Sequence, residues 1–486
     1  MGRQRASSSY QMGNSTLEVP ITLFAENRNR LLAELKKVTP KSIVFLQGGV
    51  AINHYNTDTE YPFRQEPFFH WLFGVTEPNF YGAIDVLTEK SYLFYPKPSS
   101  TDCVWVGKLP TQDEFTKKYM VDSVLYEDDI YATLSNLNRD SLLVLKGTNT
   151  DSKLAFETPK IPSIESFKVD YTTLYPIIVE LRVIKTPLEI NVMRYASKIS
   201  SNAHKYVMKN LKPGMYEYQA EALFSFYVYN VGGCRSCAYT CICASGENSA
   251  ILHYGHAAKP NDKKILDGDL CLFDMGGSYY GYASDITVSF PINGKFSKNQ
   301  EIVYNAVLKA RDAVYKNLGP GSYWSNLHRS GVAAILSYLQ ELKLLKPGKI
   351  DDMIEAGLGA VFQPHGLGHL IGIDVHDVGG YTENTPQRPM KHGLHTLRTA
   401  RKLLSNMVMT VEPGCYFIEE VLDAAFENPA LKPYLTEQIN EFRGIGGVRL
   451  EDVVLITDSG YEILSVLPRT IEEVENFMAN PTIEDL

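Results

Sequence analysis

Apolar positions along this chain switch between two periods. Residues 23–38 carry them at helical spacing, with charges on the opposite face. Residues 42–46 are almost continuously apolar and run into Gly48-Gly49, as a buried strand does before a turn. Residues 82–87 and 91–95 predict a hairpin across 88–90, and 142–145 predict a strand that closes at Gly147. Helix and strand signals in alternation predict a mixed α/β domain.

The character changes near 181–187. Pro187 suits the first position of a helix, with Glu189 in its first turn. A long helical stripe follows through Ile190, Met193, Ile199, Ala203 and Tyr206. The expected boundary lies near Lys185, which gives domains 1–185 and 186–486. The second domain reads helix, helix, strands, helix, helix, strands. Ser297 and Gln300 predict a capping box for a helix that carries Ile302, Ala306, Ala310 and Val314 on one stripe.

The strands of the second domain hold the candidate chemistry. Residues 270–277 read as a strand entering a turn, and 281–290 as a second strand. A hairpin centred between Tyr279 and Tyr280 would set Asp274 directly opposite Asp285, with Cβ atoms about 4.5–5.5 Å apart. Two bare carboxylates there repel, and a cation reverses the penalty. Three histidines fall within Pro364-His-Gly-Leu-Gly-His369 and Ile371-Gly-Ile-Asp-Val-His376, in a chain with eleven in all. His369 is the candidate ligand, while His376 and the distant His253 are candidate proton or oxyanion partners. His365 and His256 are either supporting or purely structural. Pro413 ends a strand and leaves Glu412 at its tip. Arg449 and Glu451 share a face by period two, so Arg449 can orient a ligand carboxylate. Singly, each acidic residue fits a turn or a solvated strand end. Jointly, Asp274, Asp285, His369, Glu412 and Glu451 form an oxygen-rich set with one imidazole. Such a set suits two divalent ions sharing carboxylates and activating water for hydrolysis. Mn, Co, Zn and Fe all fit these donors.

Composition narrows the field. The chain has 486 residues, 44% hydrophobic, enough for two or three cored domains. A net charge of −9, from 47 basic and 56 acidic residues, argues against nucleic-acid binding. No apolar run approaches the roughly 18 residues a membrane helix needs. Residues 1–13 carry Arg3 and Arg5 but no apolar stretch, so a loose tail is expected rather than a secretory signal. Met1-Gly2 opens an incomplete myristoylation site, because Ala6 stands where Ser or Thr is needed. Seven cysteines without an export signal predict free thiols and a cytoplasmic protein. Cys234, Cys237, Cys241 and Cys243 can be drawn as a zinc knot. However, residues 239–243 alternate like a strand, which predicts that Cys241 and Cys243 are packing residues on one face.

Longer segments carry a resemblance. They include Tyr239-Thr-Cys-Ile-Cys-Ala-Ser-Gly-Glu-Asn, Leu252-His-Tyr-Gly-His, Phe273-Asp-Met-Gly-Gly, Ala283-Ser-Asp-Ile-Thr, Leu397-Arg-Thr-Ala-Arg, Val411-Glu-Pro-Gly and Gly446-Gly-Val-Arg. In the first half they include Phe68-Phe-His-Trp-Leu-Phe-Gly-Val-Thr-Glu-Pro and Val104-Trp-Val-Gly-Lys. Together they resemble the pita-bread metallopeptidases, and within them the prolidase group. The resemblance implies an N-terminal α/β domain, a C-terminal pita-bread catalytic domain, a homodimer and a dinuclear site loaded first with manganese. It implies hydrolysis of Xaa-Pro dipeptides with release of proline. Asp274, Asp285, His369, Glu412 and Glu451 match its metal ligands, and Glu412 doubles as the proton shuttle. His253 and His376 match its substrate-facing histidines, and Arg398 matches the arginine that grips the proline carboxylate. Tyr239 falls at a substrate-facing position, and Trp105 at one that reaches the partner subunit's site. The loop 382–395 departs from the family pattern, as do Ser278, Ser405-Asn406 and Cys415. Rival readings are an aminopeptidase P acting on longer X-Pro peptides and a non-catalytic binding protein of the same fold.

Overall fold

The computed structural model describes residues 9–99, 101–156, 159 and 164–480; Met1-Gly2, Arg3 and Arg5 lie outside them. The chain divides into two units, Met1–Glu189 and Ile190–Leu486. In the first, six strands form one mixed sheet. Its order is Ser123–Tyr126, Ser91–Tyr95, Tyr81–Asp85, Ser42–Gln47, Ser141–Val144 and Val169–Asp170. The expected hairpin is present, with Ile84 opposite Ser91 and Tyr81 opposite Phe94. Ser42–Gln47 lies antiparallel to Tyr81–Asp85 and parallel to Ser141–Val144. Ile43 and Phe45 pack with Phe94, Ile130, Leu134, Leu142 and Val144. Val44 and Leu46, on the other face, are buried as well. This two-sided burial explains why the strand reads as a continuous apolar run rather than an alternation. The helix Thr22–Val38 buries Leu23, Phe24, Leu31, Leu32 and Leu35 and leaves Lys36 and Lys37 exposed, while Arg28 is buried and donates to the Leu72 carbonyl at 2.8 Å.

In the second unit, the helices Glu217–Asn230, Lys298–Tyr315 and Trp324–Glu341 accompany four small antiparallel sheets. The Ser297–Gln300 capping box forms in both directions, and Ala306, Ala310 and Val314 are buried. Two sheets lie end to end on the same pair of chain segments. Leu270–Asp274 pairs with Thr287–Pro291, and Gly277–Tyr279 with Tyr282–Ala283.

The register differs from the sequence expectation by two residues. Asp274 faces Thr287, not Asp285. The reason is the turn. Tyr280 (φ 43°) and Gly281 (φ 87°) are both left-handed, as a two-residue type I′ hairpin turn requires. The hairpin is therefore centred one residue later than expected. Asp285 sits in the gap between Tyr282–Ala283 and Thr287–Pro291. A two-residue shift preserves side-chain parity, so both carboxylates still point to one face. The segment 239–243 also departs from expectation. Its strand begins only at Ile242, and Ala238 and Tyr239 form a bend. The segment carrying Arg449 and Glu451 breaks after Arg449 and resumes at Asp452.

Gly276 keeps the gap narrow. A Cβ there would lie 1.8 Å from the Ser284 carbonyl oxygen, so any side chain pushes the two segments apart. Gly276→Ala is expected to destabilise the fold by about 1–3 kcal/mol, the cost of overpacking, and so to lower the urea unfolding midpoint. Gly460→Ala, where an added Cβ meets nothing within 4 Å, is expected to change it little. Equal midpoints for the two variants would contradict this account.

Candidate metal centre

Five backbone interruptions supply the five side chains. Asp274 ends one strand and Asp285 fills a gap between two others. His369 adjoins the isolated bridge between Leu370 and Met409. Glu412 follows Val408–Val411, where Pro413 halts the ladder. Glu451 precedes Asp452–Ile456, and its N–H donates to the Thr287 carbonyl at 3.2 Å. A strand end frees the side chain from the alternating pleat, and here five ends converge. Gly368 permits the approach of the His369 segment, because its Cβ would fall 2.1 Å from the Thr410 carbonyl oxygen.

Among the described residues, three groups bring potential ligand atoms within 4.8 Å of one another. They are Asp274, Asp285 and Glu451; His369, Glu412 and Glu451; and Asp285, His369 and His376. The first two share Glu451, the arrangement expected of a carboxylate between two cations. None contains a cysteine. Cys241 Sγ lies 3.9 Å from Cys237 Sγ, and Cys243 Sγ lies 3.5 Å from the Met275 thioether.

Hydrogen bonds fix the outer sides of the ligands. Asp274 accepts from the Tyr239 hydroxyl at 2.5 Å and from Arg449 Nη2 at 2.7 Å. Arg449 Nε donates to Thr287 Oγ1 at 3.1 Å, and that hydroxyl donates to Glu451 at 2.7 Å. Thr410 Oγ1 accepts from the His369 N–H at 3.0 Å and donates to Glu412 at 3.3 Å. His369 Nδ1 faces the Leu370 carbonyl at 3.0 Å, and a carbonyl only accepts. The Nδ1 therefore carries the proton, and Nε2 turns a lone pair toward Asp285 at 3.3 Å and Glu412 at 3.7 Å. A lone pair facing two carboxylates requires a proton or a metal cation between them.

Electrostatics point the same way. Burial, then the Asp274 charge, raises Asp285. Burial, then neighbouring Asp285 and Glu412, pushes Glu451 far above the carboxylate range. Burial raises Glu412 to about 7 against the favourable pull of His369. His369 is raised although burial opposes it, because Asp285 and Glu412 favour its charged form. Each shift reports missing positive charge, which two divalent ions would supply.

The other predicted residues divide. His376 stands edge-on to His369, centroids 4.5 Å apart. Burial, then the charges of His369 and Arg398, lowers its pKa to about 2 and keeps it neutral. His253 is exposed, and its pKa is lowered by desolvation and then by Arg449 and Arg398. Arg398 is half-buried just after Leu397. The Leu397 carbonyl accepts from Tyr381 Oη at 2.9 Å and Arg388 Nη1 at 2.5 Å. The unusual loop thus anchors the backbone that leads into Arg398. Trp105 belongs to the other unit, on the short helix Asp102–Val106, and is 86% exposed.

Sequence reasoning passed over Tyr416 and Thr287. Tyr416 accepts from Arg449 Nη1 at 2.9 Å and donates to His365 Nε2 at 2.8 Å, whose Nδ1–H goes to the Gly366 carbonyl at 2.7 Å. His365 is thus a neutral supporting residue, its pKa lowered to about 3 by burial and then by Arg449. His256 is exposed, and its Nδ1 accepts from the nearby Ala258 N–H at 3.2 Å. No local signal marks Tyr416, a single aromatic in an apolar strand.

The profile of Metallopeptidase family M24 matches residues 191–458, and that of the Aminopeptidase P N-terminal domain matches 24–144. The chain belongs to metallopeptidase family M24. It is an M24 hydrolase with a pita-bread catalytic domain and an N-terminal α/β domain. It is 52% identical to the Xaa-Pro dipeptidase of Homo sapiens over 97% of this chain and 96% of that protein. The Pseudomonas aeruginosa aminopeptidase PepP superposes with a TM-score of 0.77 at 32% identity, covering 95% of this chain and 98% of that one. Zn-substituted E. coli aminopeptidase P in complex with product matches at 0.77 and 30%, covering 96% and 100%. No described helix of this M24 chain is long and apolar enough to cross a membrane.

The raised carboxylates make stability depend on pH and metal together. Glu412, at about 7 folded and 4.5 as its ordinary value, stays protonated in the fold while the unfolded chain ionises. Its contribution is full below about 4.5 and is lost as pH rises through about 7. The metal-free protein should therefore lose melting temperature across that window. Added Mn2+ should raise the melting temperature more at about pH 8 than at about pH 5, because the ligands bind deprotonated. Calorimetry at the two pH values checks this, and an equal rise would contradict it.

Proposed function

We propose that this chain is a metal-dependent dipeptidase that hydrolyses Xaa-Pro dipeptides and releases free proline. The observation that carries the reading is the double ligand cluster sharing Glu451, in a chain so similar along its length to an Xaa-Pro dipeptidase. Asp274, Asp285, His369, Glu412 and Glu451 would hold two divalent ions. Manganese is the first candidate, and Co, Zn and Fe suit the same donors. When bound, the ions supply a Lewis acid for the scissile carbonyl and lower the pKa of water.

The chain's own residues do the rest. The imide-like bond to proline has no N–H, so recognition falls on the two ends of the substrate. Arg398 grips the terminal carboxylate with a forked pair of hydrogen bonds. Arg388 and Tyr381 keep its backbone in position through the Leu397 carbonyl. Glu412 takes a proton from the attacking water and hands it to the departing proline nitrogen. His253 or His376, each held toward neutrality, donates an N–H to the developing oxyanion. Tyr239 steadies Asp274 at the edge of the substrate space.

The N-terminal unit serves dimerisation. Val104, Trp105 and Val106 (74%, 86% and 65% exposed) offer an apolar surface to a second copy, as a homodimer requires. Seven cysteines with no disulfide among the described residues suit the reducing cytoplasm. The net charge of −9 argues against nucleic acid as a partner and leaves a small dipeptide as the natural one.

EDTA-stripped protein should hydrolyse Gly-Pro only after stepwise return of Mn2+. Arg398→Ala should lower kcat/KM on Gly-Pro by about 10–100-fold, the cost of losing a charge-assisted pair. Turnover of Gly-Pro-Xaa at the rate of Gly-Pro, or an equal loss on both in the variant, would favour the aminopeptidase instead.

A further inference from the structure

Two thiols flank Tyr239. Cys237 ends the short strand Ser236–Cys237 and pairs with Gly277, while Cys241 precedes the strand Ile242–Ser245. Extended chain would hold residues four apart at about 13 Å. Here the segment turns back on itself. The Ala238 N–H donates to the Gly276 carbonyl at 2.8 Å, and the Cys241 carbonyl accepts from Asn261 Nδ2 at 3.0 Å. The two sulfurs consequently meet at 3.9 Å, with Tyr239 at the tip of the bend and its hydroxyl on Asp274.

From this geometry we propose that Cys237 and Cys241 are a peroxide-oxidisable pair whose disulfide draws Tyr239 away from Asp274 and turns the enzyme down. Cys103 is exposed but belongs to the other unit; within this cluster Cys237 is half-buried, whereas Cys234, Cys241 and Cys243 are buried, so of these four Cys237 is the sulfur an oxidant reaches first. The Cys241 S–H points to it and holds its thiol below the usual range, as a nucleophilic sulfur needs. Ser225 Oγ lies 3.7 Å from the same sulfur. Cys243 is no competitor, because its sulfur faces the Met275 thioether at 3.5 Å.

The reaction balances with a hydroperoxide as oxidant. The Cys237 thiolate attacks a peroxide oxygen, an S–O bond forms, the O–O bond breaks and hydroxide leaves. Cys241 sulfur then attacks Cys237 sulfur, the S–S bond forms, the S–O bond breaks, and the Cys241 proton leaves with the second hydroxide as water. The two sulfurs lose two electrons, and one hydrogen peroxide becomes two waters. Closing 3.9 Å to about 2.05 Å tightens the bend around Tyr239. Asp274 then keeps only Arg449 as its orienting donor.

The effect on turnover rests on the dipeptidase reading; formation of the disulfide does not. The experiment treats the full-length, manganese-loaded protein with hydrogen peroxide and follows two readouts. One is the unreduced mass of the tryptic peptide that begins at Ser236, and the other is Gly-Pro turnover. Wild type should give a peptide lighter by two hydrogens, with the bond mapped to Cys237 and Cys241. Its kcat/KM should fall about tenfold, the loss expected for one hydrogen bond to a charged partner, and recover with dithiothreitol. Cys237→Ser and Cys241→Ser should each keep basal turnover and resist peroxide, while Cys234→Ser should respond like wild type. Both thiols still free to alkylate after treatment, a disulfide without loss of turnover, or serine variants as sensitive as wild type would each overturn the proposal. Protein inactive before oxidation would count against the dipeptidase reading alone, and the peptide mass would still decide the disulfide.

Discussion

Negative charge is concentrated where the C-terminal unit can least solvate it. Asp274, Asp285, Glu412 and Glu451 converge with His369, and all but Glu412 are buried. Left alone, such a group pays heavily for desolvation and mutual repulsion. The surrounding structure does little to relieve it. Arg449 neutralises one edge through Asp274, and the remaining hydrogen bonds come from hydroxyls and backbone. The contrast with Asp452 is instructive. That carboxylate, one residue from Glu451, is just as buried, yet its pKa is lowered by Arg469 and Arg311 against the cost of burial. The fold evidently can pair a buried carboxylate with arginines. At the five-residue cluster a single arginine, Arg449, pairs with Asp274 alone among four carboxylates, and the remaining deficit of positive charge is what a pair of divalent ions would fill.

This constraint explains the irregular strands. A continuous sheet would alternate side chains and send half of the donors to the wrong face. Each donor instead sits at a break in a strand, and at several of them glycine, proline or a left-handed turn lets the chain change course. Tyr280-Gly281 sets one register, Pro413 ends one ladder, and Gly276 and Gly368 admit backbone where a Cβ would collide. The polar partners of the ligands then lock orientation rather than charge. Thr287 illustrates this, taking a proton from Arg449 and giving one to Glu451.

Much of this was legible in the sequence because ligands and punctuation sit side by side. Pro413 beside Glu412, the glycines around His365 and His369, and the Ser297–Gln300 capping box are local signals with local causes. The Asp274–Asp285 register was not legible. Tyr280 is an unusual residue for a left-handed turn position, and without it the hairpin centre falls one residue early. Strand breaks at Leu450 and before Ile242 were also missed, since alternation continues through them while the hydrogen bonds move to another partner segment. Tyr416 and Thr287 were hidden for a different reason. Their roles arise from contacts 33 and 162 residues away along the chain, which no window of sequence displays.

We propose that Glu451, the carboxylate shared by the two ligand groups, joins two cation sites. Metal content per chain, measured by elemental analysis after manganese loading and desalting, tests it most directly when wild type is compared with Glu451→Gln. The account predicts two ions in the wild type and loss of both in the variant, with the fold retained by circular dichroism. A wild type that holds none, or a variant that still holds two, would contradict it.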